Sequence, residues 1–415
     1  MKANFTLLTF ALLSGTLTFG KIKQPKTGLW KAQLTLNSTY ALPFQMTLDK
    51  SKQGPELTII NGNEEIVLTQ FQYDSDSIIV PFPAFASELK FKVANKKSVK
   101  GFWYNHAKKG NYYLPFTANF APEEGRYPDD EVEFNVDGKW EVIFDYHKEN
   151  SEKAIGVFNN CSTKCGYGGY YSNKVIGTFL TETGDYRFLE GATINDSLYL
   201  STFDGSHAFL FTAKFKNDTL WGNFLSGKHY ETKWYAVKNE NVSIGNPDSL
   251  TYLVNKDPIS FSLPNADGGT FNYPADAVSG KVTLIQILGT WCPNCLDESR
   301  YIKTLRAKYP EELEVIAVAF ETQKDTESRI QKVNDYRKNL NLDYQFVIGG
   351  SACKSCANEL FPMLNEIISF PTLIVIDKKG EIRKIHTGFN GPGTGKYYND
   401  FVSETNAFIK ELIEE

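Results

Sequence analysis

The chain has 415 residues, 41% of them hydrophobic and 14% aromatic, and carries a formal net charge of −5. That length predicts two or three domains, and that composition is enough for packed cores, which excludes a disordered chain. Charges are scattered without basic blocks, so neither a nucleic-acid stripe nor a polybasic membrane patch is indicated.

At the start, Lys2 precedes an uncharged stretch from Ala3 to Phe19, with Thr18 and Gly20 as a small-residue cleavage site ahead of Lys21. Residues 1–20 therefore read as a secretory signal peptide. The alternative is an uncleaved membrane anchor, for which the stretch is slightly short. The first cysteine is Cys161, so no lipoprotein cysteine is available. Export predicts a periplasmic or other cell-envelope location, where disulfides persist.

Residues 27–238 alternate apolar and polar positions in short runs such as Glu56–Ile60 and Ser197–Leu200, punctuated by Asn61-Gly62, Asp137-Gly138 and Asp204-Gly205. These are strand and hairpin signals, and they predict an antiparallel all-β sandwich or barrel of ten or more strands. The region repeats weakly. Asp76–Val80, Leu89–Phe91 and Gly101–Trp103 parallel Asp196–Leu200, Phe209–Phe211 and Trp221–Phe224, and Gly28 and Gly138 each precede a tryptophan by two residues. Two related halves, 27–125 and 136–238, are expected. The aromatic residues are most simply core and cross-strand pairs. Substrate docking, envelope attachment and dimer formation all remain open as roles for this module. Residues 239–256 read as a linker, with Gly245-Asn246-Pro247-Asp248 as its turn.

Residues 257–415 change texture. Val282–Leu288 and Leu313–Phe320 are continuous apolar runs, as in strands buried on both faces. Helices are predicted over Cys292–Tyr309, stopped by Pro310, over Asp325–Asn339 with Ile330 and Val333 on a buried stripe, and over Tyr398–Glu414 with Phe401, Phe408, Ile409 and Leu412 on one face. Strands alternating with helices indicate an α/β domain with a largely parallel sheet.

Directly after the first of these strands stands Trp291-Cys292-Pro293-Asn294-Cys295. A thiolate at a helix N-terminus is stabilised by unpaired backbone N–H groups and by the helix dipole, so Cys292 is expected to be an exposed, acidic and nucleophilic sulfur. Pro293 suits the first helical turn, and two intervening residues bring Cys295 within reach of Cys292. A structural disulfide or half of a zinc site is the plainer reading of such a pair.

The segment from Ile259 to Gly269, the run from Gly280 to Cys295, and Ser369-Phe370-Pro371-Thr372 followed by Ile374–Gly380 together resemble the TlpA/ResA branch of the thioredoxin superfamily. The resemblance implies a thioredoxin fold, thiol–disulfide exchange at Cys292 and Cys295, and no cofactor beyond that redox pair. It also implies a cis Pro371 beside the cysteines, with Trp291, Pro293, Phe370 and Pro371 lining the substrate groove. Glu298, at i, i+3 from Cys295, lies on the helix face of the second thiol. A glutamate stands here in ResA-like proteins and would accept that thiol's proton, whereas an ordinary acid in the first turn would face water. The buried aspartate of thioredoxin proper would fall at Gln286. Pro-Asn between the cysteines lacks the histidine of strongly oxidising relatives, so a reductase is expected. The electron donor would be a membrane thiol transporter of the CcdA/DsbD kind, and the targets disulfide-bearing envelope proteins, apocytochromes c among them.

All six cysteines occur as close pairs. Cys161 and Cys165 favour a loop-closing disulfide. Cys353 and Cys356 suit a structural disulfide, a second redox pair or metal binding. A peroxiredoxin-type peroxidase would need threonine where Gly289 stands. A metal-handling protein would need histidine or methionine ligands, yet the chain has five His and three Met, with His386 alone in the C-terminal domain. No metal site is expected.

Overall fold

The computed structural model describes residues 24–129, 134–161 and 172–415. The expected signal peptide and Cys165 lie outside the described residues, among which no helix is long and apolar enough to cross a membrane.

The first nine strands are β1 (Gly28–Thr35), β2 (Ala41–Ser51), β3 (Gly54–Asn61), β4 (Glu64–Leu68), β5 (Gln72–Asp74), β6 (Ser77–Pro81), β7 (Ser87–Asn95), β8 (Ser98–Asn105) and β9 (Tyr112–Phe120). They form one antiparallel sheet in the order β4-β3-β2-β1-β9-β8-β7-β6-β5, a meander joined through its first and last strands and open between β4 and β5. The next nine are β10 (Gly138–Phe144), β11 (Glu152–Asn160), β12 (Lys174–Thr181), β13 (Gly184–Asp185), β14 (Leu189–Ile194), β15 (Ser197–Phe203), β16 (Ala208–Lys216), β17 (Thr219–Ser226) and β18 (Tyr230–Lys238). Here β10 pairs with both β18 and β11, and β11 pairs with β12, so the ring closes into a barrel.

Both units open alike. Gly28 and Gly138 have φ of +118° and +100°, a region that favours glycine. The indole N–H of Trp30 donates to Lys26 O at 3.0 Å, and that of Trp140 to Val136 O at 2.8 Å, each four residues back. Alternating side chains of the strands fill each interior. Phe44, Trp103 and Phe116 are buried in the first, and Phe144, Phe179, Phe211 and Trp234 in the second; each such side chain contributes about 1.5–3 kcal/mol on burial. Arg126 joins the two units, donating to Ile60 O at 2.6 Å and Ser201 O at 2.8 Å.

The stretch expected to be a linker is packed down. Asp248 lies 2.9 Å from Lys384 and 2.6 Å from His386, and the Thr251 hydroxyl donates to Glu366 O. Its acidic turn thus finds a lysine and a histidine as partners on the C-terminal domain.

That domain begins with a hairpin, β19 (Phe261–Pro264) and β20 (Thr270–Tyr273). There follow β21 (Val282–Leu288), α1 (Pro293–Lys308), β22 (Leu313–Glu321), α2 (Thr326–Leu340), β23 (Gln345–Ser351), α3 (Lys354–Leu360), β24 (Thr372–Ile376), β25 (Ile382–Thr387) and α4 (Lys396–Glu414). The sheet order is β23-β22-β21-β24-β25. It is mixed, not largely parallel: β21, β22 and β23 run parallel, while β24 and β25 pair antiparallel. A central antiparallel strand is buried on both faces too, so β24 reads in sequence like its parallel neighbours. On one face Leu284 and Leu288 pack with Leu296, Ile302, Val333 and Ile409 of the helices; on the other, Ile285 and Ile287 pack with Phe261, Phe271 and Phe361. The three parallel strands end at one edge, and that edge carries the cysteines.

Candidate active site

β21 delivers the chain into Gly289-Thr290-Trp291 and then into α1, whose N-cap is Cys292. The turn is held from below by β22. Thr290 donates its N–H and its hydroxyl to the two carboxylate oxygens of Glu321, each at 2.8 Å, and the Trp291 indole N–H donates to Phe320 O at 2.9 Å. Gly289 is needed because a Cβ there would overlap the Trp291 indole. The threonine a peroxidase requires at this place has no room.

Cys292 Sγ accepts the N–H of Cys295 at 3.3 Å, and its thiol faces Phe370 O at 3.5 Å. The Phe370–Pro371 peptide bond is cis. Phe370 stacks on Phe320 and meets Trp291 edge-on, with centroids 5.6 and 5.9 Å apart. Trp291 and Phe370 are half-buried, and Pro293 and Pro371 are buried. Both cysteines are thiols here. Cys292, expected to stand exposed, keeps only 9% of its surface, with Phe370 of the cis peptide set against its sulfur.

The two sulfurs are electrostatically unequal. The Cys295 thiol and the backbone N–H groups of Cys295 and Asn294 pull Cys292 below the ordinary thiol pKa against the effect of burial, and the Arg187 guanidinium adds to this. Burial and the neighbouring Cys292 hold Cys295 well above it. Glu298 is completely buried, not solvated. The Gln286 amide donates to its Oε2 at 2.9 Å, and Ser299 and Tyr336 extend the chain of hydrogen bonds beyond Gln286. Oε1 has no partner among the described residues. Burial pushes the Glu298 carboxyl up to about 8.

Three contributors escaped the sequence. Glu321, pushed up to about 7 by burial, looks like any acid at a strand end. Gln286 stands in sequence only as a departure from thioredoxin proper, and nothing there marks it as the partner of Glu298. Arg187 comes from the second barrel, between β13 and β14, and has a φ of +66°. It is buried among Glu64 of the first sheet at 2.6 Å, Asp204 of the second barrel at 3.6 Å, and Asp297 of α1. No local signal announces that convergence.

The remaining cysteines separate. Cys353 and Cys356 form a disulfide at the N-terminal end of α3, half-buried, after the strand that lies two places from β21. Cys161 is buried; its expected partner Cys165 lies outside the described residues. His386 packs against Phe401 and bonds Asp248. A cleft of about 840 Å³ opens at the other end of β21, between Lys281 and Ile382, away from the thiols.

Residues 255–400 match the Redoxin family. The chain is 28% identical over 109 residues to the thioredoxin-like protein YneN of Bacillus subtilis, covering 26% of this chain and 58% of that one. It is 28% identical over 131 residues to the thiol-disulfide oxidoreductase ResA of Halalkalibacterium halodurans, covering 31% and 66%. The chain thus spans less than two thirds of either relative. Among solved structures, a thiol:disulfide interchange protein of Chlorobium tepidum aligns at 18% identity over 39% of this chain and 98% of that one, with a TM-score of 0.30. The C-terminal domain is a TlpA/ResA-like domain of the thioredoxin superfamily, carried behind an N-terminal all-β module.

Proposed function

We propose that the protein is an exported thiol–disulfide oxidoreductase working as a reductase on disulfides of envelope proteins. The observation that carries this is the placement of a thiol pulled toward ionisation, Cys292, at a helix N-cap against Phe370 and Pro371, with Cys295, held as the thiol, and the Glu298 carboxyl both buried. The Cys292 thiolate attacks one sulfur of the target disulfide and expels the other as a thiolate. A mixed disulfide remains on Cys292. Cys295 gives its proton to ionised Glu298 and attacks Cys292 Sγ, releasing the second target thiolate and leaving the Cys292–Cys295 disulfide. A dithiol donor, for which a membrane thiol transporter of CcdA/DsbD type is proposed, then returns two electrons. Pro-Asn between the cysteines supports the reducing direction, and the leader-like residues 1–20 support export to a periplasm or cell envelope. The ResA-like character of the domain supports a contribution to cytochrome c maturation as part of this proposal.

The test is Cys295→Ser offered a disulfide-bonded protein. A stable adduct on Cys292, found by intact mass and peptide mapping, is expected. Absence of an adduct, or its appearance on another cysteine, would refute the assignment.

A further inference from the structure

The sulfur of Cys292 lies between two flanks. On one stand Trp291 and Phe370, both half-buried. On the other stand Asn294 and the loop after β25, Gly388 to Gly391, and this second flank is occupied by the protein itself. The two-residue turn between β12 and β13, Glu182-Thr183, brings Gly184 into parallel pairing with Phe389. The Ser369 hydroxyl donates to Thr183 O at 3.4 Å, and the Gly391 N–H donates to Asp185 Oδ2 at 2.5 Å. A second loop of the same barrel reaches the front of the site, where the Ser206 hydroxyl donates to Trp291 O at 3.3 Å.

The approach is close enough to need glycine on both sides. A Cβ on Gly184 would overlap the Asn294 amide, and one on Gly388 would overlap the Thr183 backbone. The buried Arg187, two residues beyond Asp185, pairs with Asp297 of α1 and fixes the turn in place. The turn is therefore a docked wall, not a loose loop. An extended chain lying across Cys292 needs clearance on both flanks, and neighbouring strands need about 4.8 Å of space at a sheet edge. The edge beside Phe389 is already taken by Gly184.

We infer, building on the exchange reading above, that Thr183 and Gly184 determine specificity: they wall off one side of the site, so that Cys292 accepts disulfides of small molecules or narrow protrusions arriving past Trp291 and Phe370, and discriminates against disulfides in extended polypeptide. In the attack, one target sulfur bonds Cys292 and the other leaves as thiolate. The wall decides only which disulfides can reach it.

The test compares the reduced full-length protein with its Gly184→Val variant on two probes, glutathione disulfide and insulin. Thiol release is followed in single turnover. The wild-type rate constant for insulin should be at least tenfold below that for glutathione disulfide, and Gly184→Val should raise the insulin-to-glutathione ratio about tenfold. Asp185→Ala, which removes the acceptor of the Gly391 N–H without adding bulk, should move the ratio the same way and serves if the valine variant does not fold. A wild type equally fast on both probes would overturn the inference. So would an unchanged ratio in a variant whose turn shows increased amide exchange. Inertness toward both probes would overturn the exchange reading itself, and the wall with it.

Discussion

At the scale of single residues, the proposed chemistry rests on three groups whose acidities are pushed apart. Cys292 is drawn toward the thiolate by hydrogen bonds, Cys295 is held as the thiol by burial, and Glu298 is raised to about 8 by burial. Attack by Cys292 should therefore gain rate only up to a pH below the ordinary thiol range, near 8.5. Resolution by Cys295 should keep rising through about pH 8, as Glu298 ionises. Glu298→Gln should remove that upper inflection and slow decay of the mixed disulfide about 100-fold, as rapid-quench mass spectrometry would show. The same substitution carries a stability signature. Because the folded pKa of Glu298 lies above its unfolded value, the unfolded chain holds fewer protons between the two, and wild-type stability falls as pH rises from about 4.5 to about 8. Urea denaturation should find Glu298→Gln more stable than wild type at pH 8 by a few kcal/mol, with the gap closing below pH 4.5.

At the scale of elements, the site is a strand-to-helix turn clamped by the end of the next strand. Glu321 of β22 receives both polar hydrogens of Thr290, two residues before the nucleophile. Glu321→Ala should leave a buried N–H and hydroxyl unmet, lowering stability by about 1–3 kcal/mol in denaturant unfolding. Much of this level was legible. The apolar run into Cys-Pro-Asn-Cys announces β21 and α1, the i, i+3 spacing puts Glu298 on the same helix face as Cys295, and the Gly-x-Trp pairs of β1 and β10 mark where the open sheet and the barrel each begin. What the sequence hid has a common cause. The antiparallel sense of β24 leaves no trace in a strand buried on both faces, and the grip of Glu321 on Thr290 joins residues with no shared periodicity. Ion pairs such as Arg187 with Asp297 link residues more than a hundred positions apart, and hydrophobic patterning is blind to them.

At the scale of the molecule, the all-β module is part of the active site's surroundings. Arg187 ties first sheet, second barrel and α1 into one buried ionic cluster. Removing one partner of such a cluster strands the rest in low dielectric, so Arg187→Ala should cost about 3–5 kcal/mol in urea unfolding. It should also raise the Cys292 pKa, since the guanidinium helps hold the thiolate. The central claim is that this fold makes Cys292 an unusually acidic nucleophile, and thiolate absorbance of the reduced full-length protein against pH, with Cys292→Ser as reference, tests it most directly. One thiol titrating clearly below about 8.5 and vanishing in the variant is the expected result. A Cys292 that titrates like free cysteine would contradict the account.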